Sequence, residues 1–153
     1  MFNFPHLHLM FAHFPIVLIP VGAVLLLLGI IRKEKHLETT SLWFFIFGAL
    51  ICIPVFLIGE EAGEAIEHLP GIIEKLIEEH EEAAEGALWA SCILGAMSVF
   101  TLIFRGRDVA HILLKGALVI SIVSSILLAN AANQGGKIRH PEAYQTTNLN
   151  HEE

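Results

Sequence analysis

Residues 72–104 read IIEKLIEEHEEAAEGALWASCILGAMSVFTLIF, and this stretch predicts one long helix that changes character halfway. Acidic residues are frequent in its first half, whereas residues 87–104 carry no charge. A helix of about 20 apolar residues is long enough to cross the hydrocarbon core of a bilayer. The stretch therefore predicts a transmembrane helix whose beginning extends outside the membrane.

Three further apolar blocks lie in the chain, and 54% of its 153 residues are hydrophobic. The mean hydropathy of +0.64 is too high for an ordinary soluble domain of this length. The four predicted spans cover residues 14–31, 41–59, 87–104 and 112–132. The predicted fold class is all-α, a four-helix transmembrane bundle forming a single membrane domain over residues 1–153.

Residues 60–86 join the second and third spans and hold ten of the sixteen Asp and Glu residues. Apolar residues at helical spacing continue through residues 60–69, and Pro70 with Gly71 then predicts a turn. This region is therefore predicted to be an acidic extramembrane helical hairpin, with helices 2 and 3 extended outside the membrane. Its charge argues against nucleic acid as a partner.

The basic residues are divided unevenly between the two sides of the predicted bundle. Six of the nine Lys and Arg residues lie in or beside the short connections after the first and third spans. The positive-inside rule places such connections in the cytoplasm. We therefore expect a multi-pass protein of the bacterial inner membrane, with both termini and the acidic hairpin in the periplasm.

His80 lies on the side of the third helix that we expect to face the bundle. Its neighbours on that face recur at about 3.6 residues per turn. A histidine there either hydrogen-bonds a neighbouring group or binds a cofactor. The inward stripe comprises Ile73, Leu76, Ile77, His80, Ala84, Ala87, Ser91, Gly95 and Ser98.

The first helix supplies candidate partners for His80. Asn3 is a predicted helix cap, followed by Pro5 in the first turn. His8 and His13 lie five residues apart, so their side chains are rotated well away from one another. At the end of the fourth span, Gly135-Gly136 predicts a helix stop.

Residues 8–15, HLMFAHFP, resemble the His-Pro-x-x-x-His-Phe-Pro signature of a bacterial family of uncharacterised four-helix membrane proteins. Leu9 replaces the expected Pro, which is a departure at the start of the first helix. A histidine opening the third helix and a Gly-Gly pair after the fourth belong to the same pattern. The resemblance implies the topology and directs attention to His8, His13 and His80, but it implies no activity.

The first functional hypothesis is a b-type haem that His13 and His80 ligate from opposite faces. Lys137 and Arg139 follow the predicted helix stop and can pair either with haem propionates or with the acidic helices. The corresponding function is electron transfer near the periplasmic face. Expected partners are other membrane redox subunits or a periplasmic electron carrier.

The second hypothesis is a non-haem site for a divalent transition metal such as Zn, Cu or Fe. The candidate ligands for that ion are His8, His13, His80, Glu61, Glu64 and His68.

The third hypothesis is a cofactor-free assembly subunit of a larger membrane complex, in which the histidines are interfacial hydrogen-bonding residues. The lipid bilayer surrounds the protein in every case, and a homo-oligomer is compatible with all three hypotheses. The chain lacks the common hydrolase motifs, and whether it is an enzyme stays open.

Overall fold

A computed structural model describes residues 3–69 and 72–140, which form four α-helices and no strand. The helices are α1 (Phe4–Arg32), α2 (Lys35–Ile66), α3 (Glu74–Ile103) and α4 (Val109–Arg139). Each is long and apolar enough to cross a membrane. The predicted four-helix transmembrane fold class is thus confirmed, and the chain is a multi-pass membrane protein.

The ends of the first helix follow from its sequence. The Asn3 side chain accepts a hydrogen bond of 3.1 Å from the His6 backbone N–H, which confirms the predicted cap. The helix continues through Pro15 and Pro20 and ends at Lys33, whose backbone adopts the left-handed conformation with φ of 56°.

The other three helices are longer than their apolar blocks. The second continues to Ile66 and the third begins at Glu74. The predicted stop at Gly135-Gly136 is wrong, because α4 continues through both glycines to Arg139. Glycine permits a helix to end but does not force it to, and the His140 N–H still bonds the Gly136 carbonyl at 2.9 Å.

The helices form an antiparallel bundle in which each packs against its neighbours in chain order, and α4 closes the bundle against α1. The interior includes Ile19, Leu26, Phe45 and Leu94, all fully buried. Large apolar side chains cover the outside, with Ile112 72% exposed. Such a surface is stable against lipid and costly in water.

The two ends of the bundle differ in chemistry. The histidine end contains the beginnings of α1 and α3 and the C-terminal ends of α2 and α4. At the opposite end, the Arg105 end, the Arg105 guanidinium donates to the Thr39 hydroxyl and to the Lys35 carbonyl, and lies 3.6 Å from a Glu38 carboxylate oxygen. These contacts join the turn after α3 to the beginning of α2.

The two helical hairpins, α1–α2 and α3–α4, repeat one pattern of buried positions. Every buried residue of α1 has a buried counterpart 72 residues later in α3, and five buried residues of α2 have counterparts 76 residues later in α4. The α1–α3 pairs are Pro15 and Ala87, Ile19 and Ser91, Gly22 and Leu94, Ala23 and Gly95, Leu26 and Ser98, and Gly29 and Thr101. The α2–α4 pairs are Ser41 and Ala117, Phe45 and Ser121, Gly48 and Ser124, Cys52 and Leu128, and Val55 and Ala131.

Close packing of α2 against α3 depends on Gly95. A Cβ at this position would lie 2.6 Å from the Cβ of Ala49, a separation that real Cβ atoms do not adopt. Gly86, on the same helix, has no atom within 4 Å of the corresponding point among the described residues.

We predict that Gly95→Ala destabilises the protein by about 1–3 kcal/mol, because the helices must separate to accept the methyl group. Gly86→Ala is the matched control and should stabilise by about 0.5–1 kcal/mol, since alanine loses less backbone entropy in a helix. Denaturant unfolding in detergent micelles measures both changes. Equal effects of the two substitutions would contradict the proposed close contact.

Candidate functional site

The candidate site lies at the histidine end, where the second turns of α1 and α3 each present one imidazole to the bundle. His8 lies four residues after the beginning of α1, and His80 lies six residues after the beginning of α3. Both side chains are largely buried. Each contacts the other helix of its own hairpin.

His8 is held by α2. Its Nδ1 lies 3.1 Å from the carbonyl oxygen of Val55, and its ring lies directly against Gly59. A Cβ at Gly59 would come within 2.9 Å of the His8 Cε1 atom. Any larger residue at Gly59 would therefore displace the imidazole.

His80 is held by α4 in the same way. Its Nδ1 lies 2.9 Å from the carbonyl oxygen of Ala131, and a Cβ at Gly135 would lie 3.2 Å from its Cε1 atom. In both hairpins the glycine follows the accepting carbonyl by four residues. His80 and its two contacts are the counterparts of His8, Val55 and Gly59 in the repeat described above.

The two imidazoles meet across the hairpins. Their ring centroids are 6.1 Å apart, and the ring planes are nearly perpendicular, at 85°. A carbonyl oxygen can only accept a hydrogen bond, so each Nδ1 carries the proton. In its neutral form each ring then has a lone pair on Nε2, which is the arrangement found in histidines that bind metals.

The donor set fits a metal ligated by two imidazoles. Two imidazoles that bind a metal from opposite sides, through metal–nitrogen bonds of about 2.0–2.1 Å and with roughly 1.1 Å from each nitrogen to its ring centre, have their ring centres about 6.3 Å apart. The observed separation of 6.1 Å is close to this value. The residues one and two turns inside the rings are small on both helices: Ala12, Pro15, Ala84 and Ala87.

His13, the partner predicted for His80, is not the residue that the structure brings to it. The His13 side chain is exposed, and its Nδ1 bonds the carbonyl oxygen of Leu9 on the same helix at 2.7 Å. The difference comes from helical phase. The buried side of α1 passes through Pro15, and His8 lies seven residues before it, two turns along the same face.

Tracing that buried stripe back from Pro15 would have selected His8 from the sequence. A second signal for His8 was its position 72 residues before His80. The buried residues of α1 and their counterparts in α3 are separated by the same 72 residues.

The remaining candidate metal ligands lie away from the ring pair. Glu61 and Glu64 are exposed on α2, and His68 is paired with Glu67 through Nε2 at 3.1 Å. Within residues 3–69 and 72–140, no group of three or more His, Cys, Asp or Glu side chains is arranged to hold a metal ion. His8 and His80 are thus the candidate ligands that the described structure places together.

The predicted basic residues lie at the end of α4. Lys137 is half-buried and makes contacts within the protein, and Arg139 is the last residue of the helix. The predicted role of the Arg139 side chain lies outside the described part of the structure. Pairing of these residues with propionates stays a prediction.

A family model described as a predicted membrane protein, DUF2231, matches residues 5–147. The chain belongs to the DUF2231 family. No curated protein and no solved structure matches it. The family assignment supports the membrane character of the chain, and the matched range includes His8, His13 and His80.

We predict that ¹⁵N NMR spectra of this DUF2231 protein show His8 and His80 as neutral rings with the proton on Nδ1. His68 provides the contrast, because its Nε2 lies beside the Glu67 carboxylate and should carry a proton. Protonation of His8 or His80 on Nε2 alone would contradict the two carbonyl hydrogen bonds.

Proposed function

We propose that this DUF2231 protein is a membrane-embedded electron-transfer protein that binds a b-type haem through His8 and His80. The observation that carries the proposal is that two imidazoles, each bonded to a helix carbonyl through Nδ1, lie 6.1 Å apart between ring centroids. A bound haem supplies one-electron redox chemistry. His8 and His80 would hold the haem through Nε2, and their Nδ1–carbonyl hydrogen bonds would fix the tautomers.

The number of donors favours haem over a bare ion. A haem iron already has four nitrogen ligands from its macrocycle and needs up to two more from the protein. A non-haem Zn, Cu or Fe site usually takes three or four protein ligands. In this proposal His8 and His80 would be those two haem ligands.

The second candidate is a divalent transition-metal site at the same two histidines. The observation in its favour is the direct contact of the rings, 6.1 Å between centroids, which suits an ion without a surrounding macrocycle. Such an ion would need further ligands, and Glu61, Glu64, His13 and His68 remain the residues proposed for them.

The cellular setting follows from the charge distribution. We propose the bacterial inner membrane, with the Arg105 end in the cytoplasm and the histidine end and both termini in the periplasm. Residues 60–86 then extend helices 2 and 3 beyond the bilayer as an acidic cap around the site. The proposed partners are membrane redox subunits or a periplasmic electron carrier, for which an acidic surface favours a basic docking face.

We predict that the purified full-length protein gives a reduced-minus-oxidised visible spectrum with sharp haem bands. His8→Ala and His80→Ala should each remove the bands or convert them to those of a high-spin haem, because one of the two proposed nitrogen ligands is lost. His13→Ala is the matched control and should retain the wild-type spectrum, since the His13 side chain is exposed and bonds its own helix.

The other outcomes separate the alternatives. A flat spectrum with a stoichiometric metal in elemental analysis would support the non-haem site. A flat spectrum with no metal would contradict both cofactor proposals and favour an assembly subunit. Loss of the bands in His13→Ala with retention in His8→Ala would restore His13 as the ligand.

A further inference from the structure

The interior of the α3–α4 hairpin carries hydroxyl groups at five buried positions whose counterparts in α1–α2 have no polar side chain. These positions are at most 1% exposed. We call them the hydroxyl line: Ser91, Ser98, Thr101, Ser121 and Ser124. Their counterparts are Ile19, Leu26, Gly29, Phe45 and Gly48.

Equivalent buried positions of the two hairpins show whether packing alone requires a hydroxyl side chain. Both hairpins bury the same positions, so the geometry of the bundle does not require hydroxyls there. Ser91, Ser98 and Ser121 are also smaller than their counterparts Ile19, Leu26 and Phe45. Burying polar groups in place of apolar ones lowers stability unless they have partners.

The hydroxyls follow one another along the bundle. In α1–α2, a Cβ at Gly48 would lie 2.9 Å from Ile19, so these positions are opposite one another. Their counterparts, Ser124 and Ser91, are opposite in the same register. Helical rise then places Ser121, Ser98 and Thr101 at successive levels about 4.5–6 Å apart toward the Arg105 end.

The hydrogen bonds of the line leave acceptor capacity in the interior. The hydroxyls of Ser91, Ser98 and Thr101 each donate to a carbonyl of α3 at 2.7 Å, and Ser121 donates to the Leu118 carbonyl at 2.7 Å. A hydroxyl has a single proton, so these four oxygens can accept from a further donor but cannot donate to one. The Ser91 hydroxyl also contacts the Cys52 thiol of α2.

The Ser124 hydroxyl gives separate evidence for a bound molecule in the interior. It is fully buried, and its hydroxyl has no hydrogen-bond partner among the described residues. The register described above places it against Ser91. A buried hydroxyl without a partner is uncommon in native proteins and points to an internal water.

The hydroxyl line ends beside a polar group at the Arg105 end of the bundle. Thr101 lies one helical turn from Arg105, whose side chain is 29% exposed and contacts Glu38 and Thr39. Water can therefore approach Thr101 from a polar, partly solvated group rather than from lipid.

We propose that the hydroxyl line binds a row of internal water molecules and forms an aqueous half-channel from the Arg105 end to Ser124. One water between two hydroxyls spans about 5.6 Å through two hydrogen bonds of about 2.8 Å, which is comparable to the axial separation of about 4.5–6 Å between successive levels of the line. Water donates to the accepting hydroxyls and accepts from Ser124. The proposal is independent of any cofactor at His8 and His80.

The test is proton-detected solid-state NMR of the full-length protein in lipid bilayers. The measured quantity is the rate of magnetisation transfer from water to backbone amides. Transfer to the backbone amides of Ser121 and Ser124 should be several-fold faster than transfer to the amides of their counterparts, Phe45 and Gly48. Equal rates within the two matched pairs would overturn the proposal.

A substitution provides a second measurement. Ser124→Ala should slow the transfer to Ser121 and lower the Tm, because the innermost water loses a partner. Ser41→Ala removes a buried hydroxyl of the other hairpin, bonded to the Glu38 carbonyl, and should leave the transfer to Ser121 unchanged. A rise in Tm for Ser124→Ala, with unchanged transfer, would show that the hydroxyl is dry and contradict the half-channel.

Discussion

The contact on which the histidine end depends is a hydrogen bond from an imidazole to a helix carbonyl that a glycine leaves uncovered. In a helix, the side chain of a residue lies over the preceding turn, so it covers the carbonyl four residues earlier. Gly59 and Gly135 have no side chain, and the carbonyls of Val55 and Ala131 stay accessible to His8 and His80. One missing methyl group therefore decides the position and the tautomer of each ring.

The same device in both hairpins makes the bundle a repeat of two similar halves. The halves share their buried positions but not their chemistry, since hydroxyl side chains line the interior of α3–α4 while the matching positions of α1–α2 lack polar groups. The two hairpins can therefore be compared position by position, because their backbone arrangement is the same. Hydroxyl residues at buried positions whose equivalents are apolar are those for which packing alone gives no reason.

The sequence predicted the helices well because apolar length and periodicity are local properties. It failed at Gly135-Gly136, where the intrinsic preference of glycine to end a helix is overridden by packing against His80. It correctly predicted that His80 faces the bundle, because the stripe through Ile77, Ala87 and Ser91 has a clear helical period. The imidazole beside His80 is His8 rather than His13, because the buried face of α1 passes through His8 and Pro15.

The sequence by itself determined four membrane-crossing helices, their antiparallel order and the inward face that carries His80. Those features depend on residues within a few turns of one another. Tertiary structure decided which imidazole meets His80 and which carbonyls hold the pair, since the acceptors lie 47 and 51 residues away along the chain. Local spacing fixes the direction of a side chain on its own helix, whereas the group it meets depends on how separate helices align.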